Sequence, residues 1–438
     1  MIRKIEKILL LSVFLIISVS VSAQEGAYGA YSPYSIFGIG DISKEGTAYN
    51  KSMGGTGLAT RNNRYINYLN PAAVTARDSL SFMADFGLQQ SNNVYKQGDL
   101  RSAHNTFNIY DLVMTFPIWR SSAFMVGITP YSDVGYDFSS IERNPDIIGN
   151  TGNISYDSYG TGGLYQMFVG AGVTFWKSLS VGAEWIYYFG NIDKVTNMDY
   201  SDASYRSVNS GTELEIRGTT GKFGLQYEQK LGGDVSMTLG ATYKLSSRMK
   251  GYSTSYRYAN QSSVTDTLSY SVDTLAASGL RFADEIGVGI AFKGGDKWSA
   301  ELNYIRSDWS NSGFDKTSGF NVAGQSTFSS TVSQSIRAGF EFIPNRNDIR
   351  YYFKRCAYRF GAYYDKAYYK LDGNNINSMG VTLGMTLPVH NYHNGISLGM
   401  DIGQRANMKN PSMIRERYVS FVIGFNIHDI WFRKVQYQ

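Results

Sequence analysis

Charged side chains recur on one parity of several segments in which apolar and polar residues alternate. They are Glu184, Glu301, Arg337, Glu341, Arg359, Asp365 and Asp401. A guanidinium group binds a carboxylate through two parallel hydrogen bonds, so Arg337 and Arg359 are candidates to guide the head group of an acidic ligand. The alternative is that these acids and bases pair with one another, because unpaired charges inside a protein are costly. The residue types leave both interpretations open.

Other chemistry-bearing residues are sparse. His390 and His393 are closely spaced, but no carboxylate lies within a few positions, so the spacing predicts no metal site. No G-x-S-x-G motif marks a nucleophilic serine. The run 54–57 (Gly-Gly-Thr-Gly) matches neither a dinucleotide fingerprint nor a P-loop, and the single Cys356 forms no internal disulfide. The sequence predicts a protein that is not an enzyme and uses no cofactor.

The composition is typical of a membrane-associated β protein. The chain has 438 residues, a formal charge of +5, 34 Tyr, 46 Gly and 8 Pro. Tyrosine favours membrane–water interfaces, and glycine fits crowded positions in a curved sheet. The weak basic balance indicates no nucleic-acid partner. No Pro-rich or Ser-rich linker divides the chain into soluble domains.

The N-terminus has the pattern of a secretory signal peptide. Arg3, Lys4 and Lys7 precede a short apolar run, residues 8–21, and Ala23 ends a small-residue cleavage site. The run is too short to span a membrane comfortably, which argues against the alternative of an uncleaved anchor. We therefore expect a signal peptide over residues 1–23 and export of the remaining chain.

Many later segments alternate apolar and polar residues with period two. In one of them Leu179, Val181, Ala183, Trp185, Tyr187 and Phe189 share a face. Segments of this kind, about 10 residues long, suit tilted strands with one face on lipid and the other on a polar lumen. The pattern predicts an all-β protein, a transmembrane antiparallel β-barrel of about 14 strands in the outer membrane. A soluble β-sandwich, which also alternates, is the alternative.

The connections between these segments favour the barrel because short and long ones alternate. Short turns are predicted at 176–178, 231–234 and 293–297, with long polar loops at 139–159, 191–211, 250–279 and 310–327. The connection 343–354 is irregular and predicts a small periplasmic element. The short turns are expected in the periplasm and the long loops outside the cell.

Residues 24–78 precede the first strand pattern and lack its alternation. They are too aromatic for a disordered leader, and glycine-rich runs such as 53–57 suit close packing. We interpret this segment as a hatch, or plug, inside a barrel formed by residues 79–438.

The run 53–57 (Met-Gly-Gly-Thr-Gly), followed by Asn70-Pro71-Ala72, resembles the N-terminal hatch of the long-chain fatty-acid transporter (FadL) family. The aromatic motif at residues 31–42 (Tyr-Ser-Pro-Tyr-Ser-Ile-Phe-Gly-Ile-Gly-Asp-Ile) and residues 430–434 look like those of members from Bacteroidota-type bacteria. The resemblance implies a fourteen-strand barrel that carries hydrophobic compounds past a hatch. It also implies that the hatch residues act in transport, namely Gly54, Gly55, Gly57, Asn70, Pro71 and Ala72. In that family a kinked third strand opens the wall, and Pro130 is the candidate kink, with an ordinary rim position as its alternative.

Two functions follow. The first is uptake of small hydrophobic compounds such as fatty acids, with Arg337, Arg359, Glu184 and Asp401 lining the lumen. The second is a non-transporting barrel that acts as scaffold or assembly partner in an outer-membrane protein complex. Outer-membrane lipid is a partner in both. A continuous apolar tunnel would favour transport, and a lumen closed by charge pairs would favour the scaffold.

Overall fold

The computed structural model describes residues 30–430, apart from 79, 120, 203, 262–263, 318–319, 321, 324–325, 390–392 and 408–412. The predicted signal peptide, His390 and residues 431–434 lie outside the described residues.

Fourteen long strands form the wall of a barrel, as the alternation predicts. They are β1 (Ser81–Gln97), β2 (Leu100–Trp119), β3 (Ser122–Asp133), β4 (Ile154–Phe175), β5 (Leu179–Tyr200), β6 (Ser207–Gly232), β7 (Val235–Lys244), β8 (Asp284–Gly294), β9 (Trp298–Asp308), β10 (Val332–Phe342), β11 (Ala357–Leu371), β12 (Asn374–Pro388), β13 (Gly395–Ala406) and β14 (Arg415–Ile430). Neighbours in this order pair antiparallel, for example β4 with β5 and β7 with β8.

The sheet closes because the last strand pairs with the first. The β1–β14 ladder runs from Ser81 opposite Ile430 to Lys96 opposite Arg415. Closure pairs backbone groups that lipid could not hydrogen-bond, which is why closed barrels can span a bilayer with strands. The closed antiparallel barrel therefore excludes the soluble sandwich.

The predicted parity of the strands is confirmed. On β5 the outward Trp185 is 50 % exposed, whereas its neighbours Glu184 and Ile186 are 5 % and 2 % exposed. On β14 the outward residues include Phe421 and Ile427, and the inward ones include Glu416 and His428. Apolar side chains thus form the outer face, where lipid is the solvent. Separately, the described residues contain no helix long and apolar enough to cross a membrane.

The short turns between β4 and β5, β6 and β7, and β8 and β9 lie at one end of the barrel, and the long excursions lie at the other end. The turns 176–178, 233–234 and 295–297 occupy the predicted positions. By the usual asymmetry of such barrels this end faces the periplasm. The predicted irregular connection lies at the same end, between β10 and β11, and contains the helical turn Tyr352–Arg355.

Several of the predicted extracellular loops are strands that continue beyond the wall. We call the resulting structure the extracellular sheet. Its order is Tyr136–Ile141, the outer parts of β4, β5 and β6, then Lys250–Gln261 and Val264–Thr274. The polar stretches 191–211 and 250–279 therefore contain hairpins.

The remaining elements are short. They are the strands Asp41–Ile42, Ser247–Arg248, Arg281–Phe282, Val322–Ala323 and Ser326–Ser330, the α-helices Ala48–Lys51 and Pro145–Thr151, and the 3-10 turns Pro33–Ile36, Pro71–Thr75, Phe314–Lys316 and Tyr352–Arg355.

Residues 30–78 lie inside the barrel, and we call this segment the hatch. Two of its helical turns begin with proline after a polar cap. The Ser32 side chain accepts from the Tyr34 amide, and the Asn70 side chain accepts from the Ala72 amide. Proline suits the first helical position because its missing N–H would have no partner there. Buried aromatic residues such as Tyr68, stacked on Phe168 of β4, fill the space to the wall.

Glycines let the hatch backbone touch the wall. Gly54 has a φ of +71°, and a Cβ there would lie 2.8 Å from the Ala338 carbonyl oxygen of β10. On the wall, a Cβ on Gly361 of β11 would overlap the main chain of Met53 and Gly54. Part of the high glycine content is explained by this contact, which no larger residue permits.

The ladder between β2 and β3 is incomplete. It ends at the extracellular side with Leu112 opposite Ile128, so within the described part of the chain β2 residues 100–111 pair only with β1. Beyond that point β3 contains Pro130, and its register with β4 shifts between Pro130 and Ser132. The hatch strand Asp41–Ile42 pairs with Asp133 and Ser132 of β3. The third strand, β3, therefore separates from β2 close to Pro130.

Candidate functional site

The lumen contains a cavity of about 360 Å³ between the hatch and the wall. Its lining is rich in charge. The charged side chains include Lys44, Glu45, Lys222, Lys244, Glu285, Arg337, Asp365, Asp401 and Arg405. Aromatic residues such as Tyr131 and Trp309 contribute the apolar part. A binding site for a purely apolar molecule usually has a few polar groups among many apolar ones, and this cavity does not fit that description.

Lys44 of the hatch is held by three wall residues. Its Nζ lies 2.9 Å from Oδ2 of Asp401 on β13 and 3.4 Å from the centre of the Tyr363 ring. The Tyr363 hydroxyl donates to the other carboxylate oxygen of Asp401 at 2.7 Å and lies 2.6 Å from the Tyr418 hydroxyl. The hatch cation is thus neutralised by a wall carboxylate and covered by an aromatic face.

Arg405 of β13 bridges the hatch and the last strand. One of its guanidinium nitrogens lies 2.6 Å from Oδ2 of Asp41, and another lies 3.6 Å from Glu416 of β14. Both acids belong to elements far apart in sequence. The pairing fixes the strand Asp41–Ile42 against the barrel seam.

Two more ion pairs connect the hatch to the wall on the opposite side. Glu45 lies 3.7 Å from Lys222 of β6, and Arg61 lies 3.3 Å from Glu228 of β6. Glu301 of β9 also accepts a 2.7 Å hydrogen bond from the Ala59 amide and one from the Thr60 hydroxyl. The hatch is therefore attached by charge at both sides of the lumen.

The predicted lumen arginines face carboxylates. Arg359 is fully buried, and its Nε lies 2.8 Å from Glu341, with Tyr49 and Tyr65 of the hatch against the guanidinium. Arg337 lies 3.6 Å from Asp365. This placement favours mutual pairing over the guidance of a ligand head group, because pairing already neutralises both cations.

Two predicted lumen acids differ in their surroundings. Asp401 lines the cavity and pairs with Lys44. Glu184 is buried on β5, and its Oε2 has no hydrogen-bond partner among the described residues. A role in ligand guidance stays a prediction for both.

The predicted hatch residues divide into two groups. Gly54 and Gly55 line the cavity, and the Gly54 amide donates to the Thr382 hydroxyl of β12 at 2.8 Å. Gly57, Pro71 and Ala72 pack against other hatch residues or the wall. Their part in transport stays a prediction.

Asn70 acts as a junction between hatch and wall. Its Nδ2 donates to the Leu58 carbonyl at 2.7 Å and to the wall carbonyls of Leu225 and Ala241 at 3.2 and 3.4 Å. Its Oδ1 accepts from the Ala72 amide at 3.0 Å. Both the nitrogen and the oxygen of the side-chain amide therefore help to hold the structure together.

Pro130 lines the cavity and lies at the shift in register on β3. Thr106, Asn108 and Tyr110 of β2 line the same cavity. The cavity therefore reaches the place where the β2–β3 ladder has ended. This position fits the kink predicted by the resemblance.

The sequence analysis missed charged residues on both sides of the contact between hatch and wall. Arg405 and Glu416 lie on the inward parity of β13 and β14, so the strand pattern could have identified them. Asp41, Lys44, Glu45 and Arg61 carry no such signal, because the hatch has no regular period.

The fold is similar to solved outer-membrane channels. One is the P. putida toluene transporter TodX, at 14 % identity and a TM-score of 0.57, covering 89 % of this chain and 100 % of that one. Another is the Ralstonia pickettii toluene transporter TbuX, at 15 % identity and 0.56, covering 87 % and 98 %. A third is the CymD monoaromatic hydrocarbon channel, at 12 % identity and 0.55, covering 89 % and 98 %. At such identities the likeness shows the fold.

This fold and the apolar outer face place the chain in the outer membrane as a β-barrel. No curated protein matches the sequence. One family model matches it from residue 1 to residue 438, and that family is BamG. The chain is therefore a member of the BamG family.

Proposed function

We propose that this chain is a non-transporting barrel that binds other proteins as a subunit of an outer-membrane complex. The observation that carries the proposal is the set of four ion pairs between hatch and wall. They join Lys44 to Asp401, Asp41 to Arg405, Glu45 to Lys222, and Arg61 to Glu228. Membership in the BamG family is compatible with this role, and the transporter fold relatives share only 11–15 % identity with this chain.

Physical chemistry opposes movement of an apolar solute through such a lumen. Displacing the hatch would separate four ion pairs whose side chains are 5–33 % exposed. Separating partly buried opposite charges costs free energy, although less than breaking a fully buried pair. An apolar solute offers no polar contact to offset that cost. The charged lumen instead suits a rigid barrel that binds partner proteins on its outer surfaces.

The extracellular sheet offers one surface for a partner. Its last strand, Val264–Thr274, is exposed at every described side chain and, among the described residues, pairs only with Lys250–Gln261. An open edge presents unpaired N–H and C=O groups to an added strand. The strand contains no Lys or Pro, the residues that commonly protect edges. We propose that a partner strand covers this edge.

The periplasmic connection between β10 and β11 offers a second surface. Ile349, Tyr351, Tyr352 and Phe353 are exposed there. Lys354 lies near the Tyr351 ring, 4.7 Å from its centre. Exposed aromatic side chains of this kind are enriched at protein interfaces, and aromatic and basic side chains together also suit the membrane interface.

The first experiment is mass spectrometry of the chain purified gently from its native membrane. The proposal expects stoichiometric protein partners and no recurrent apolar ligand. A photo-crosslinking residue in place of Tyr270 or Phe353 should capture those partners. The same residue in place of Ile147, on the exposed extracellular helix Pro145–Thr151, is the matched control. An apolar ligand bound one-to-one without protein partners would contradict the proposal.

Transport of small hydrophobic compounds is the second candidate, and one observation favours it. The cavity reaches the incomplete ladder between β2 and β3 beside Pro130, which could serve as a lateral exit. Fatty acids and other apolar compounds are the substrate class that the sequence resemblance implies. Two of the fold relatives, TbuX and TodX, are toluene transporters.

Uptake assays separate the two candidates. Under the transport candidate, cells carrying the chain take up toluene or a long-chain fatty acid faster than cells without it. Asn70→Ala and Pro130→Ala then lower that rate while the barrel stays folded. The scaffold proposal expects no uptake above the empty-cell control. Unchanged uptake in both variants would contradict the transport mechanism.

A further inference from the structure

Three potential metal ligands from separate parts of the chain meet at the periplasmic end of the barrel. Asp78 ends the hatch, His393 lies between β12 and β13, and His428 lies near the end of β14. One ligand atom from each lies within 4.8 Å of the other two. Nε2 of His393 is 3.6 Å from Oδ2 of Asp78, and the two imidazole rings stack with centres 4.4 Å apart. Sequence spacing could not reveal this group.

His428 contributes a buried ring nitrogen that lacks a hydrogen bond. The residue is 7 % exposed, and its Nε2 has no hydrogen-bond partner among the described residues. Its main-chain amide donates to Oδ1 of Asn394, the residue that follows His393. Asn426 donates from Nδ2 to the His393 carbonyl at 2.7 Å. The main chain of both histidines is thus held in place beside Asp78.

We propose that Asp78, His393 and His428 bind a zinc ion. Two imidazoles and one carboxylate are a common ligand set for Zn²⁺, with a water molecule in the fourth position. Zinc needs its ligand atoms at about 2.0–2.2 Å, so the three side chains must move closer together. Asp78 and His393 lie outside the wall strands, with 44 % and 21 % of their side chains exposed, which leaves room for that rotation.

The Asp78 carboxylate is held in position by a neighbouring side chain of the hatch. Asn63 donates from Nδ2 to Oδ1 of Asp78 at 2.8 Å and so orients the carboxylate toward His393 with its other oxygen.

The consequence of the proposed site is mechanical. The ion would join the last residue of the hatch to the strand that closes the barrel. It would fasten the exit of the hatch independently of the ion pairs deeper in the lumen. The inference does not depend on whether the barrel transports solutes or binds proteins.

The test is zinc binding by the full mature chain, purified without a histidine tag and stripped with EDTA. Titration with ZnCl₂ against a chromophoric chelator should give one ion per barrel at micromolar concentrations, and MgCl₂ should give none. Zinc should also raise the thermal unfolding midpoint. Absence of stoichiometric zinc binding in this concentration range would overturn the proposal.

Variants identify the ligands. Asp78→Asn, His393→Ala and His428→Gln should each weaken zinc binding by at least about tenfold, because even outer-shell changes cost 10–100-fold. The control His104→Ala, at the opposite end of the barrel, should bind zinc normally. Heat-modifiable electrophoretic mobility checks that each variant is folded. If only His393→Ala loses zinc while Asp78→Asn and His428→Gln retain it, the ion belongs to a surface histidine pair and the proposed site is wrong.

Discussion

At the scale of single residues, the lumen is organised by pairing. Arg359 has no exposed surface, and its partner Glu341 is nearly as buried. Tyr49 and Tyr65 of the hatch cover the guanidinium. A charge in this position is stable only while its counter-ion remains. The same reasoning applies to the ion pairs between hatch and wall, although their side chains are more exposed to solvent.

Removing one member of the Arg359–Glu341 pair should destabilise the barrel strongly. Arg359→Ala leaves the Glu341 carboxylate buried without its partner, so the free energy of unfolding should fall by about 3–5 kcal/mol. The double variant Arg359→Met with Glu341→Leu removes both charges and should recover most of that loss. Urea unfolding in detergent micelles, followed by tryptophan fluorescence, measures both effects. A double variant as unstable as the single one would contradict the pairing argument.

A methyl group should also be costly where hatch and wall backbones touch. A Cβ on Gly361 would overlap the Met53–Gly54 main chain. Gly361→Ala should therefore lower the free energy of unfolding by about 1–3 kcal/mol, as overpacking does. Gly221→Ala is the matched control, because its nearest neighbour would be Leu245 Cδ1 at 3.7 Å. Equal stability of the two variants in urea would show that the hatch does not press on the wall there.

At the scale of elements, some strands extend through two environments, the membrane and the extracellular space. The inner part of β6 alternates lipid-facing and lumen-facing side chains, whereas its outer part continues into the extracellular sheet. Val264–Thr274 ends that sheet with an open edge. Such an edge invites association, which is why we connect it with a partner and not with the stability of the barrel.

Replacing residues 251–278 with a short Gly-Ser linker should test that connection. The wall strands β6 and β7 keep their own ladder, so the shortened barrel should still fold and show heat-modifiable mobility. Partner proteins should no longer co-purify in stoichiometric amounts. Replacing the exposed helix Pro145–Thr151 by a similar linker is the control and should leave the partners bound. Full retention of partners by the shortened chain would remove this edge as the docking surface.

At the scale of the whole molecule, the barrel and the hatch form one closed body. The wall alone encloses a lumen that residues 30–78 occupy. Ion pairs on two sides and glycine contacts on others hold the hatch there. We expect a barrel closed in this way to seal the membrane even though fourteen strands enclose a wide interior.

Deletion of residues 30–78 should open that interior. In planar lipid bilayers the shortened barrel should conduct ions continuously, whereas the intact chain should show little or no conductance. Cells producing the shortened barrel should also become sensitive to large antibiotics that the outer membrane normally excludes. Circular dichroism in detergent checks that the strands remain. Equal conductance of intact and shortened chains would mean that the hatch does not close the lumen.

Much of the architecture could be predicted because strand parity is a local property. Leu179 to Phe189 shows its lipid face by alternation alone, and the structure places that face outward. The turn at 176–178 was visible as a polar interruption between two such segments. The hatch was recognisable as a segment without alternation. The contacts between hatch and wall could not be predicted, because a segment without a period does not indicate which of its residues face the wall.

Alternation along the chain therefore predicts the class of fold, the lipid and lumen faces of the strands, and the inward position of Arg337, Arg359 and Asp401. It does not predict which charges meet in the folded barrel. Lys44 and Asp401 are 357 positions apart, and Asp78, His393 and His428 come together only when the last strand closes on the first. The physical reason is that parity follows from neighbouring residues, whereas these contacts depend on closure of the sheet and on how an aperiodic hatch fills its interior.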